Sequence, residues 1–185
     1  CNAQGFYPAL YYPHNIHFLW AASTMEGRSE LSIESAIRVS KNVNVEQVKQ
    51  FPTIEFFRTI PLLSYVRFGK WDEILAAPEP PEDFKYSQGI RHYVRGIAQA
   101  SKGNIEAAKM EQQQLLPLKD TVSIQFLDKR DYPASLLLDI ANELLLGEIQ
   151  FAGKNYDEAV DHYEKAVAMQ DTLPYTEPPF WYYPT

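Results

Sequence analysis

Cysteine is almost missing from this sequence: Cys1 is the single one in 185 residues, so no intrachain disulfide can form, no CxxC pair exists, and the disulfide-dense secreted mini-domains are excluded. Long apolar runs are missing too. The longest candidate, Ser135 to Leu146, is interrupted by Asp139, Asn142 and Glu143, which leaves no transmembrane helix to place. The GxSxG nucleophile turn, the GxxxxGK phosphate loop and the HExxH zinc helix are all absent, so no motif argues for an enzyme. Basic residues run short towards one end: positions 131–185 hold 2 Lys or Arg against 10 Asp or Glu, whereas 1–130 hold 15 against 14. The whole chain carries −7. Duplex nucleic acid, whose affinity rests on neutralising phosphates, is therefore not an expected partner. The acidic end reads either as solvated helix faces or as a docking face for a basic partner.

What is present is a globular composition. Hydrophobic side chains at 45% and charged ones at 22% suit one packed domain or one array of small repeats. The chain opens on Cys1 without the charged and apolar segments of a signal peptide. At the start of a mature lipoprotein Cys1 would be a lipid anchor; the expected reading is the cut edge of a longer protein, with the compartment left open.

The most informative signal is internal repetition. Gly27-Arg-Ser-Glu-Leu-Ser, Gly69-Lys-Trp-Asp-Glu-Ile, Gly103-Asn-Ile-Glu-Ala-Ala and Gly153-Lys-Asn-Tyr-Asp-Glu-Ala each follow one helix-period apolar stretch and precede another. Glycine lets the backbone reach the left-handed region that ends a helix, and Asp or Glu in the next turn suits the positive end of the following helix dipole. Four such turns predict helical hairpins at about 14–41, 53–77, 84–116 and 134–171, about eight helices in all. The glycines are spaced by 42, 34 and 50 residues, and only the middle interval has the period of a tetratricopeptide (TPR) repeat. Side chains support that class in two units: Gly96, Gly103, Ala108 and Leu115 in one, Gly147, Tyr156, Ala159, Tyr163, Ala166 and Pro174 in the other. The prolines in Ala-Ala-Pro-Glu-Pro-Pro-Glu-Asp (76–83) break the helix before them, Pro52 and Pro61 limit or kink others, and 117–133 reads as a long connector. The tail, 172–185, contains Phe180-Trp-Tyr-Tyr-Pro and is too apolar to be free, so it must pack against the array or against a further repeat.

These phrases carry a resemblance. Tyr11-Tyr-Pro-His-Asn-Ile-His-Phe-Leu-Trp-Ala-Ala, Met25-Glu-Gly-Arg-Ser, Arg67-Phe-Gly-Lys-Trp-Asp-Glu-Ile-Leu and Leu173-Pro-Tyr-Thr-Glu-Pro-Pro-Phe-Trp-Tyr-Tyr-Pro resemble a family of bacterial TPR proteins several hundred residues long. The resemblance spans nearly the whole chain. It implies an all-α, right-handed superhelical array of hairpins, continuing beyond both ends of this sequence, and a protein-binding scaffold by fold; it supplies no activity to carry over.

Candidate chemistry is sparse. His14 and His17 lie three residues apart on one helical turn, a spacing that can place both imidazoles on one Zn or Cu ion, with His92 as a third ligand from another hairpin and Glu26 or Cys1 as further donors. The alternative for such a pair is capping or stacking on aromatic rings. Paired acids such as Asp157 and Glu158 are first-turn dipole partners rather than catalysts. Phased from the turns, the first-helix positions facing a concave groove include His14, His17, Phe56, Tyr93, Ile97, Glu148 and Phe151, flanked by Arg67, Arg91 and Arg95. This lining is mostly apolar and aromatic. It predicts a non-catalytic scaffold that binds a peptide or helical segment, with metal or small-ligand binding at His14 and His17 as the alternative. The aromatic start and end of the chain predict self-association or a tail folded back into the groove.

Overall fold

The computed structural model describes residues 12–185, so Cys1 and the aromatic opening as far as Tyr11 lie outside the described residues. Among the described residues there are ten α-helices and no strand. They are α1 (Tyr12–Met25), α2 (Ser29–Lys41), α3 (Val45–Gln50), α4 (Ile60–Arg67), α5 (Trp71–Ala76), α6 (Lys85–Ser101), α7 (Ile105–Leu115), α8 (Val122–Asp128), α9 (Ala134–Ala152) and α10 (Tyr156–Gln170). The all-α expectation holds, and no described helix is long and apolar enough to cross a membrane.

Four helix pairs, α1–α2, α4–α5, α6–α7 and α9–α10, are joined by the same turn. At each, one residue enters the left-handed region: Gly27 (φ 74°), Gly69 (φ 65°), Gly103 (φ 80°) and Lys154 (φ 65°). The following residue, Arg28, Lys70, Asn104 or Asn155, has φ between −82° and −92° and ψ between 62° and 78°. Its N–H donates to the carbonyl five residues back, at Ser23, Tyr65, Gln99 and Gln150, over 2.8–2.9 Å. This arrangement satisfies carbonyls that a helix end would leave bare. The second helix of each pair has no side-chain cap and carries Asp or Glu in its first turn, so the dipole acts where capping does not. The fourth turn departs from the expectation in one respect: Gly153 stays helical at φ −76° and Lys154 takes the left-handed position. The register between the last two hairpins is therefore 51 residues rather than 50. Asn104 donates to Gln99 and Asn155 to Gln150, both at 2.9 Å, in that same register.

Prolines account for the irregular parts. The first helix of the second hairpin is split into a 3₁₀ segment, Pro52–Arg58, and α4, with Pro52 and Pro61 each at the start of its piece. Between Asn42 and Phe51 the chain adds α3, opened by a capping box in which Asn44 and Gln47 exchange side-chain and backbone bonds. The expected connector 117–133 contains a 3₁₀ turn and α8.

One continuous core runs from Ile16 and Trp20 in α1 through Ile90 and Val94 in α6 to Leu137, Leu138 and Leu145 in α9. Close approach of α6 and α9 needs glycine. A Cβ on Gly89 would stand 2.6 Å from a Leu138 methyl, and one on Gly96 would stand 2.6 Å from both Leu145 methyls. Polar groups inside α1 are satisfied locally: Thr24 donates to the Trp20 carbonyl at 2.7 Å and bonds Ser32 of α2 at 2.7 Å, and the Trp20 indole donates to Ser64 of α4 at 2.5 Å. The tail crosses this core. Trp181 is 3% exposed, and Leu173, Phe180 and Tyr182 pack against the same cluster.

Candidate functional site

Two features meet where the tail returns to the body. The first is a cavity of about 190 Å³ bounded by α1 (His14, His17, Trp20), the 3₁₀ segment (Phe56, Phe57), the start of α6 (Tyr86), Tyr132 before α9, and Thr176 to Phe180 with Tyr182 of the tail. His17 sits among rings, stacked on Trp20 at 5.2 Å and 12° and touching Phe56 at 5.5 Å and Phe57 at 5.4 Å. Burial, with the neighbouring His14 second, lowers its pKa to about 3, so its imidazole is neutral. Phe56 also stacks on Tyr132 at 5.4 Å, and Tyr132 meets Tyr86 and Phe180 edge-on at 5.3 and 5.5 Å. Burial pushes the Tyr86 and Tyr132 hydroxyls up, and both stay protonated. Glu55, just beneath, is 5% exposed; it accepts from the Ser87 N–H at 2.7 Å, serving the α6 N-terminus, while burial raises its pKa.

The second feature is the tail's seat. Arg67 donates to the Tyr183 hydroxyl at 3.2 Å and lies over its ring at 4.1 Å. Tyr93 meets the Tyr182 hydroxyl at 3.3 Å and the Trp181 ring at 5.7 Å, and Gln170 accepts from the Thr185 N–H at 3.0 Å. Glu148 accepts from Tyr163 at 2.8 Å, and its charge helps keep Tyr93 and Tyr182 protonated; burial, the larger cause, raises Tyr182 to about 12.

The residues singled out in the sequence are thus dispersed. His14, His17 and Phe56 line the cavity, Arg67 and Tyr93 grip the tail, and Ile97 is core. Glu148 stands by the hydroxyl cluster. Arg91 pairs at 3.6 Å with Glu79 of the proline-rich break, away from the tail. Phe151 is 56% exposed, and its ring meets that of Tyr156 of α10 edge-on at 5.5 Å. His92 is not beside the histidine pair. It bonds Glu111 of α7 at 2.7 Å, and Glu111 also accepts from Arg95 at 2.7 Å. Among the described residues no three His, Cys, Asp or Glu side chains assemble as a metal site. Trp20, Tyr86 and Tyr132 were missed. Tyr132 had one visible signal, the Tyr-Pro step at 132–133, which holds the residue out of the helix that follows.

The chain matches no protein-family model, no curated protein and no solved structure.

Proposed function

We propose that this chain is a right-handed TPR-like array and a non-catalytic protein-interaction scaffold, whose concave face holds an extended segment rich in aromatics and proline. The single observation that supports this reading is the tail, 173–185: it runs without helix across α4, α6 and α9 and buries Trp181 as a ligand would be buried. The recurring hairpin turn supports the array. The gripping groups, Arg67 and the Tyr93 hydroxyl, hold an aromatic ring and two hydroxyls of the tail. The chain's own segment occupies the seat, and a partner carrying a similar segment competes for it.

The test is a labelled peptide of sequence Leu173–Thr185 titrated against the full chain and against a Trp181→Ala, Tyr182→Ala variant, whose own tail is loosened. Saturable binding that tightens in the variant, and is absent for a scrambled peptide, is expected; no saturable binding to either protein overturns the reading. Elemental analysis of untagged protein separates the metal alternative: one equivalent of Zn or Cu, lost on His14→Ala with His17→Ala, would replace the scaffold reading by a metal site.

A further inference from the structure

The cavity beside the tail has a chemistry of its own. Seven carbocyclic and indole rings line it, among them Trp20, Phe56, Phe57, Tyr132, Phe180 and Tyr182. Its polar groups are largely consumed within the protein: the Thr59 hydroxyl donates to the Phe56 carbonyl at 2.8 Å, and the Thr176 hydroxyl to the Pro178 carbonyl at 3.1 Å. Among the described residues that line it there is no Lys or Arg, and Glu177 is the one carboxylate. Arg58, near the buried Glu55, is turned to the Val43 carbonyl at 2.6 Å. His17 is neutral through burial. Glu177 and Pro179 are exposed, so the cavity meets solvent on the side where its one negative charge stands.

Ring faces carry partial negative charge, and a wall of rings with a carboxylate at its mouth favours a cation too large and too weakly hydrated to prefer water. We infer that the cavity between α1, the 3₁₀ segment and the tail is a binding site for an organic cation of the quaternary or methylated ammonium class. Size agrees: a volume of about 190 Å³ exceeds the ~150 Å³ of an engineered cavity that admits benzene. A free ammonium or a metal ion, strongly hydrated, finds too few oxygen acceptors here to replace its water. The site does not depend on the peptide reading, since it uses the tail in place rather than displaced.

The experiment is calorimetric titration of the full chain with choline chloride and, separately, with the uncharged isostere in which carbon replaces the quaternary nitrogen, with sodium chloride as the salt control. The two probes share shape and apolar surface and differ in charge. Choline is expected to bind roughly ten- to thirty-fold tighter than the isostere, the ratio that a desolvated cation–π contact of about 2 kcal/mol supplies. Glu177→Gln, which keeps a side-chain oxygen to accept from the Tyr175 hydroxyl as the carboxylate does, should weaken choline binding several-fold and leave the isostere unchanged. Equal affinity for the two probes, binding of neither, or an unchanged choline affinity in Glu177→Gln overturns the assignment. Because the peptide test reads binding with the tail loosened, either proposal can fail while the other stands.

Discussion

The half of the molecule from α6 to α10 obeys a repeat, whereas the half that holds α1, α4 and the cavity does not, and the two treat histidine in opposite ways. In the regular half His92 of α6 bonds Glu111 of α7, and 51 residues on, Glu143 of α9 bonds His162 of α10, both at 2.7 Å with the partners exchanged. A polar tie between the helices of a hairpin is kept while its residues trade places. In the irregular half His17 has rings for neighbours, Trp20, Phe56 and Phe57, and His14 one turn away on α1. Repetition fixes where paired charges recur; departure from it creates the enclosed aromatic space.

The largest expected effect tests the irregular half. The folded pKa of His17 lies below its ordinary value of 6.5, at about 3, so the neutral ring contributes stability that is complete above pH 6.5 and is lost as pH falls towards 3. Against a His17→Phe variant, chemical denaturation at pH 7 and pH 3 should show wild type losing about 4 kcal/mol more than the variant. Parallel pH profiles would mean that His17 is solvated and that the ring cluster is loose.

Next comes packing in the regular half, where equivalent glycines meet different neighbours. A Cβ on Gly96 would strike both methyls of fully buried Leu145, whereas one on Gly147 would stand 2.5 Å from the ring of Tyr163, which is half-buried and has room to tilt. Gly96→Ala should therefore cost about 3 kcal/mol and Gly147→Ala about 1 kcal/mol, read from urea midpoints. Equal costs would break the distinction between a fixed buried neighbour and one with room to yield. Trp71 enters the same scale: it is partly buried beside Gly69 and its replacement by Ala should cost about 2 kcal/mol, less than a core tryptophan.

The exchanged pairs give a smaller effect. Burial pushes the Glu111 carboxyl up, but the hydrogen bonds from His92 and Arg95 outweigh it and hold the pKa below the usual range. Its contribution is present above the ordinary carboxylate value and is lost as pH falls through the lowered one. Either single change, Glu143→Gln or His162→Gln, should cost about 1 kcal/mol, and the exchange Glu143→His with His162→Glu, which copies the order of the third hairpin, about 0.5 kcal/mol or less. An exchange as costly as the singles would show that the two hairpins are alike in backbone only.

How much of this was legible follows from which physics is local. Helix ends and turns are decided within five or six residues, so Gly27, Gly69 and Gly103 announced three hairpin turns, and Pro52, Pro61 and the prolines of 76–83 announced the interruptions. The capping box at Asn44 was just as local and was overlooked. The cavity was not legible, because its walls come from positions 14–20, 56–57, 86, 132 and 176–182, and no spacing in the sequence relates them.

The smallest prediction concerns the one turn that breaks the glycine rule. Lys154 holds φ 65° where the other three turns hold glycine, and its neighbour Gly153 occupies an ordinary helical conformation at φ −76° that any residue adopts. A left-handed conformation costs a residue with a Cβ about 1–2 kcal/mol, while glycine there adds chain entropy to the unfolded state that returns about half of the gain. Lys154→Gly should therefore stabilise the chain by about 0.5–1 kcal/mol, and the reverse change at the equivalent turn, Gly103→Lys, should destabilise it by a similar amount. Nothing lies within 4 Å of a Cβ built at Gly103, so the cost there is conformational rather than steric. Thermal unfolding of the two variants reads both values, and a destabilised Lys154→Gly would mean that the lysine side chain makes an interaction at this turn that outweighs its backbone strain.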